Sequence, residues 1–236
     1  MDGRSITWLA FLVFQDVVSK ELLNDFQKPK AIPEEEHRVA RLLIAHEHRN
    51  WGIEEWGRVL FTDESRFCLR SPDDRQRVWR STGERVAQCN FAPGISFGSG
   101  SIMVWGGISM EARTELVVVN GGAMTANRYI RDILEPHVVP FAPFIGNDPI
   151  LMHDNARPRI AQIPARSPDL NPIEHVWDKV ERRVKVRTPA PANLRDLSAA
   201  IIQECQEIDQ AVIQDLLEGM PRRMEAVIQA RGGNIR

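Results

Sequence analysis

Four prolines, Pro158, Pro164, Pro168 and Pro172, fall within fifteen consecutive positions of this 236-residue chain. Each fixes φ and withholds a backbone donor, so neither a full helix nor a central strand can run through that stretch. The sequence on either side is readable. Ile150, Leu151 and Met152 lead into His153 and Asp154, a short apolar strand that stops at an acid where Asn155-Ala156-Arg157-Pro158 begins. Downstream, Asn171-Pro172-Ile173-Glu174 has the order of a helix start. The asparagine is the N-cap, the proline takes the first helical position and the glutamate the third, as in a capping box. The proline-rich segment therefore joins one carboxylate at a strand end to another in a helix's first turn.

With 43% apolar and 26% charged residues, the remainder of the chain has globular composition. A formal net charge of −2 gives no overall basic excess, so any contact with nucleic acid has to be local. Cys68, Cys89 and Cys205 are odd in number, far apart and outside any CxxC spacing. That pattern argues against a disulfide framework or a zinc site and suits a reducing compartment. Trp8 to Phe14 is an apolar run of seven residues, too short to span a bilayer and without the cleavage pattern of a secretory leader. No membrane partner is expected.

Residues 1 to 33 read as a helix and a linker, an extension ahead of a domain occupying 34 to 236. From Pro33 to Arg49, acids crowd the first turn and bases the last, which favours a helix with Val39, Leu42, Leu43 and His46 on its inner face. His46-Glu47-His48 lacks the HExxH spacing of a metal site and reads as a solvated helix end. Val59 to Leu69 alternates so that Phe61, Asp63, Ser65, Phe67 and Leu69 share one side of a strand. Asp63 is then either a core-facing acid needing a metal or hydrogen bonds, or exposed by a slip in register. A turn at 71 to 74, a return strand at 75 to 80 and a long loop at 81 to 100 follow. Strands at 101 to 109 and 115 to 120 come next, then a helix from Ala126 to Leu134 capped by Thr125. After Glu174 the pattern is helical: Ile173, Val176, Trp177, Val180 and Val184 face inward, and further helices fall near 193 to 206, 209 to 218 and 221 to 229. Strands, a helix, another strand and then helices predict a mixed α/β sheet layered by helices.

Carboxylates gathered from a strand centre, a strand end and a helix start suit two-magnesium phosphoryl transfer, because hard oxygen ligands hold such ions. Several blocks of the chain, in order, resemble the DDE catalytic domain of Tc/mariner superfamily transposases. They are HEHRNW at 46 to 51, VLFTDESRFCL at 59 to 69, RVWR at 77 to 80, SIMVWGGIS at 101 to 109, MHDNARP at 152 to 158, ARSPDLNPIEHVWD at 165 to 178 and MPRRMEAVIQARGG at 220 to 233. The resemblance implies a ribonuclease-H-like fold in which Asp63, Asp154 and Glu174 are the catalytic, metal-binding triad, with magnesium, or manganese in its place. It implies DNA cleavage and strand transfer in transposition and integration of a transposable element. It also implies DNA as partner, a homodimer, and a nuclear location. Asn155, Arg157 and Asn171 would support the site, with His153 and His175 as neighbours less suited to magnesium than carboxylates.

Two departures from the family qualify what is expected. The family carries helix-turn-helix DNA-binding modules ahead of the catalytic domain, whereas here about 30 unmatched residues precede it. Residues 1 to 62 hold eight Lys/Arg against ten Asp/Glu, so this extension is no basic arm. The family also spaces its second and third acids further apart, by about a helix and a strand, than the 19 residues separating Asp154 from Glu174. The sequence thus predicts an internally deleted domain lacking that helix and strand, with Glu174 poorly fixed, catalysis impaired, and apolar surface exposed on the sheet edge and on the helix after Ala126. The alternative is a non-catalytic DNA-associated relic or interaction protein derived from a transposase. Its feature is the basic run Lys179, Arg182, Arg183, Lys185 and Arg187, which is either a phosphate-binding surface or a solvated helix face.

Overall fold

The computed structural model describes residues 34–69, 100–119, 125–146, 148–153, 161–162 and 167–235. Its strands are β1 (Val59–Cys68), β2 (Ser101–Ile108), β3 (Val117–Val119), β4 (Ile150–His153) and β5 (Ala161–Gln162), arranged in one sheet in the order β3-β2-β1-β4-β5. β1 pairs antiparallel with β2, placing Asp63 opposite Gly106, and parallel with β4, placing Phe61 opposite Met152. β2 and β3 are antiparallel, whereas β4 and β5 are parallel. The expected loss of a strand after β4 is corrected in part: Ala161–Gln162 pairs parallel beside it.

The helices are α1 (Glu34–Glu47), α2 (Ile53–Gly57), α3 (Ala126–Tyr129), α4 (Ala142–Ile145), α5 (Pro172–Lys185), α6 (Leu194–Gln206), α7 (Gln210–Glu218) and α8 (Met220–Gln229). α3 continues through wider π turns over Ile130–Val138, well past the expected end at Leu134. Pro136 explains the widening, since it cannot donate and its ring would press on the carbonyl one turn back. The Val139 N–H instead reaches the Leu134 carbonyl, five residues back, at 2.9 Å. No helix among the described residues is long and apolar enough to cross a membrane.

Two apolar layers sandwich the sheet. On one face Phe61, Phe67, Val104 and Met152 pack with Ile173, Val176, Trp177 and Val180 of α5 and with α6, α7 and α8. On the other, Leu60, Trp105 and Leu151 pack with Tyr129, Ile133, Leu134 and Val138. The expected exposure of the helix after Ala126 is therefore overturned, because its apolar side is covered by the sheet.

α5 has the expected Asn171 cap and the expected inward residues Ile173, Val176, Trp177, Val180 and Val184, and helices stand near the three later ranges expected. Asn171, Asn193 and Asp209 each accept a backbone N–H at a helix start. α1 differs. Its buried residues are Arg41, Ile44 and Ala45, followed by His48, while Val39 and Leu43 are 50% and 58% exposed. The inner face is thus rotated from the one expected, because the partner of Arg41 is a carboxylate from a distant loop. His46 is exposed, but His48 is buried with its ring against Trp51 and Trp56, so only the first of these histidines is a solvated helix end. The expected elements at 1 to 33 and 71 to 99 lie outside the described residues.

Candidate active site

β1 is buried on both faces from Val59 to Asp63, because the layers on either side of the sheet converge on its first half. Asp63 ends that buried run at 7% exposure, which decides between its two open placements in favour of the core. A buried carboxylate requires partners. The indole Nε1 of Trp177 donates to Asp63 Oδ2 at 3.0 Å. Phe67, on the same side of β1, meets the Trp177 ring edge-on with centroids 6.3 Å apart. Gly106 supplies the space for the ring: a Cβ there would lie 2.9 Å from Trp177 Cη2.

Glu174 is half-buried in the first turn of α5. It precedes Trp177 by three residues, so the two occupy one stripe of the helix about 4.5 Å apart along its axis. Asn171 is buried and its Oδ1 accepts from the Ile173 N–H at 3.4 Å, so its observed role is to start this helix. β4 ends at His153, one residue beyond the partner of Phe61. Asp154, Asn155 and Arg157 lie outside the described residues. Two of the three expected acids are therefore described, and they are carried by packed elements that a hydrogen bond joins. Among the described residues alone, no group of three or more His, Cys, Asp or Glu side chains forms a metal-holding cluster. His175 is exposed on α5. Partial burial and the Arg223 guanidinium lower its pKa, against the opposing pull of Asp178 and Asp169.

The residues that fix the start of α5 escaped the sequence reading. Arg41 grips Asp169 with two parallel bonds, Nη1 to Oδ1 at 2.7 Å and Nη2 to Oδ2 at 2.6 Å. Its Nε and Nη2 also donate to the carbonyls of Gly232 and Gly233, each at 3.0 Å. Asp169 Oδ2 accepts the Ile235 N–H at 3.0 Å, and Arg223 Nη1 donates to the Asp169 carbonyl at 3.1 Å. Burial alone would raise the pKa of Asp169, but these donors, Arg41 foremost, hold it below its ordinary value. The 3₁₀ turn Pro168–Leu170 just before Glu174 is thereby clamped to α1, α8 and the segment after α8. The expectation that the proline-rich loop leaves Glu174 poorly fixed is overturned for this end of the loop. Two signals pointed there: an arginine spaced three, four and seven residues before Ile44, Ala45 and His48, and an aspartate in the Ser-Pro-Asp-Leu-Asn-Pro turn.

The basic run divides into two sets. Arg182 pairs with Asp178, and Lys185 Nζ lies 2.8 Å from Glu181, both one turn back on α5. Arg187 donates to Glu204 at 2.7 Å and to Gln203 at 2.9 Å on α6. Lys179 and Arg183 are half-buried and make no ion pair among the described residues.

Residues 58–197, more than half of the chain, match the family described as DDE superfamily endonuclease. The Tcb1 transposase of Caenorhabditis briggsae is 36% identical over 213 residues, covering 83% of this chain and 76% of that protein. The Tc1 transposase of Caenorhabditis elegans is 32% identical over 214 residues, with the same coverage. Among solved structures, the Mos1 transposase paired-end complex superposes with a TM-score of 0.63 at 14% identity, covering 94% of this chain and 71% of that one. The isolated catalytic domain of Mos1 mariner transposase gives 0.58 at 13% identity, covering 89% of this chain and all of that domain. These likenesses carry the ribonuclease-H-like fold, and the family match with the two nematode relatives carries the kinship: the chain belongs to the DDE superfamily endonucleases, among the Tc1-type transposases.

Proposed function

We propose that this chain cleaves DNA phosphodiesters and transfers DNA 3′ ends in a transposase-type reaction, with Asp63, Asp154 and Glu174 as the carboxylates that hold magnesium or manganese. One observation carries the reading: Asp63, buried in β1, is bonded to Trp177 of the same helix whose first turn holds Glu174. In sequence Asp154 is the residue after the last one of β4, the parallel neighbour of β1. The donor set fits the metal, since carboxylate oxygens are the hard ligands such ions take. Mos1 complexes solved with magnesium and with manganese support the same choice. Ions of this class, when bound, stabilise the charge that develops on the attacking and leaving oxygens of a phosphodiester.

The chain's own residues set the geometry. Trp177 orients Asp63, the Arg41–Asp169 clamp fixes the turn that delivers Glu174, and the apolar layers keep both elements rigid. The shortened segment between Asp154 and Glu174 lowers the rate in this reading without abolishing it. We place the catalytic unit at residues 34 to 236. A second copy of the chain and a nuclear setting belong to the same proposal.

The test is nicking of supercoiled DNA by the purified protein with magnesium or manganese, beside Asp63→Ala. Metal-dependent nicking that falls to background in the variant supports the reading. Equal nicking by the two proteins overturns it and leaves a non-catalytic DNA-associated relic, whose DNA binding weakens steeply with salt and needs no metal.

A further inference from the structure

We infer that Trp177 is a positioning residue of the carboxylate site: its indole N–H aims Asp63, and its place on α5 sets where Glu174 stands relative to that acid. The inference rests on the metal-site reading proposed above. An indole has one polar atom, a donor with no acceptor capacity, and a buried indole usually directs it at a partner, as Trp177 does and the buried Trp56 does not. For Trp177 the partner is Asp63 Oδ2 at 3.0 Å, an acceptor whose bond strengthens when the carboxyl is ionised.

The ring itself is held in place. Phe67 meets it edge-on, and Gly106, the cross-strand partner of Asp63, leaves a notch that its terminal carbons fill. Core packing on its own would be served by any large apolar side chain at this position. The combination of a donor, an acid and a glycine notch on the neighbouring strand goes beyond packing. Because Glu174 stands one turn before Trp177, fixing the indole on Asp63 also fixes the helix that carries the second carboxylate. Groups hydrogen-bonded to metal-ligating carboxylates set ligand orientation, and their removal typically weakens metal binding by about 10–100-fold.

The experiment measures Mn2+ affinity of the full chain by calorimetry, without DNA, alongside thermal melting of each variant. Trp177→Phe keeps an aromatic ring and removes the N–H, so its Mn2+ Kd is expected to rise by about 10–100-fold. Phe67→Leu loosens the same aromatic contact without touching the N–H, and its Kd should stay well short of the about 10–100-fold rise expected when an outer-shell partner is removed. An unchanged Kd in Trp177→Phe, or an equal loss in Phe67→Leu, overturns the inference. If Trp177→Phe does not fold, Gly106→Ala takes its place: it keeps the N–H but drives a methyl into the ring, and an unchanged Kd there overturns the inference equally. Asp63→Asn separates the two levels of the proposal. If it binds Mn2+ as the wild type does, the metal-site reading fails and the inference falls with it. If it loses binding while Trp177→Phe retains it, the positioning role alone is wrong.

Discussion

At the scale of single residues, the site depends on a charge placed where charge is costly. Val59 to Asp63 is a run of five buried positions, and alternation in the sequence could not settle whether Asp63 faced the core. The answer depends in part on Trp177, more than a hundred residues away, which supplies one donor that makes burial tolerable. Gly106 is the third member of that arrangement, and its contribution is space. Gly106→Ala should destabilise the fold by about 1–3 kcal/mol through overpacking against the Trp177 ring. Urea unfolding followed by tryptophan fluorescence checks this. A change below about 0.5 kcal/mol would mean that the ring shifts freely.

At the scale of elements, the start of α5 is held by side chains and chain ends rather than by a neighbouring strand. Arg41 is almost wholly buried and joins α1 to the Pro168–Leu170 turn and to the Gly232–Gly233 carbonyls. Arg41→Ala strands the partly buried carboxylate of Asp169 and should cost about 3–5 kcal/mol in chemical denaturation, a typical loss when one partner of a buried pair is removed. The pH dependence has a definite sign. Asp169 is held below its ordinary value in the folded state, so the unfolded chain binds that proton more readily. The resulting stability is complete above the ordinary aspartate value of about 3.9 and is lost as pH falls through the lowered one. Asp169→Asn should therefore be less stable at neutral pH and show a flatter acid limb in melting experiments from pH 6 downward. The same clamp explains what was legible in the sequence. Asn171 announces its helix because a cap is a local bond between near neighbours, and Asn193 and Asp209 prove to cap theirs in the same way. The inner face of α1 is not legible in its periodicity, because Arg41 points inward to Asp169, a residue no periodicity connects to it. That Glu174 stands in a helix's first turn is legible from Asn171 and Pro172, but the clamp that fixes this turn is not.

At the scale of the whole molecule, strands and helices could be placed from pattern, yet the sheet order β3-β2-β1-β4-β5 is a set of long-range pairings that patterning does not encode. The covering of both sheet faces is of the same kind: periodicity turns Tyr129, Ile133 and Leu134 inward, but only their packing on Leu60 and Trp105 shows that this face is closed. Charge is also a property of the whole, and with a net of −2 the chain has no general attraction for DNA. Any grip must come from cations that are not already neutralised. Arg182 and Lys185 are paired along α5, and Arg187 is drawn inward to Glu204, which leaves Lys179 and Arg183 as the members of the run fit to meet phosphate. Joint replacement of Lys179 and Arg183 by alanine should make the dependence of duplex affinity on salt shallower by roughly 0.9 log units per log unit of salt for each phosphate that is no longer neutralised. Arg187→Gln should leave that slope unchanged and instead lower stability by about 1–3 kcal/mol, because the buried Glu204 loses its charged partner. Fluorescence anisotropy titrations of labelled duplex DNA across a salt series, paired with denaturation of each variant, measure both effects. An equal change of slope in the two variants would show that the ion pair with Glu204 opens when DNA binds, and that the structural division of the basic run is not a division in function.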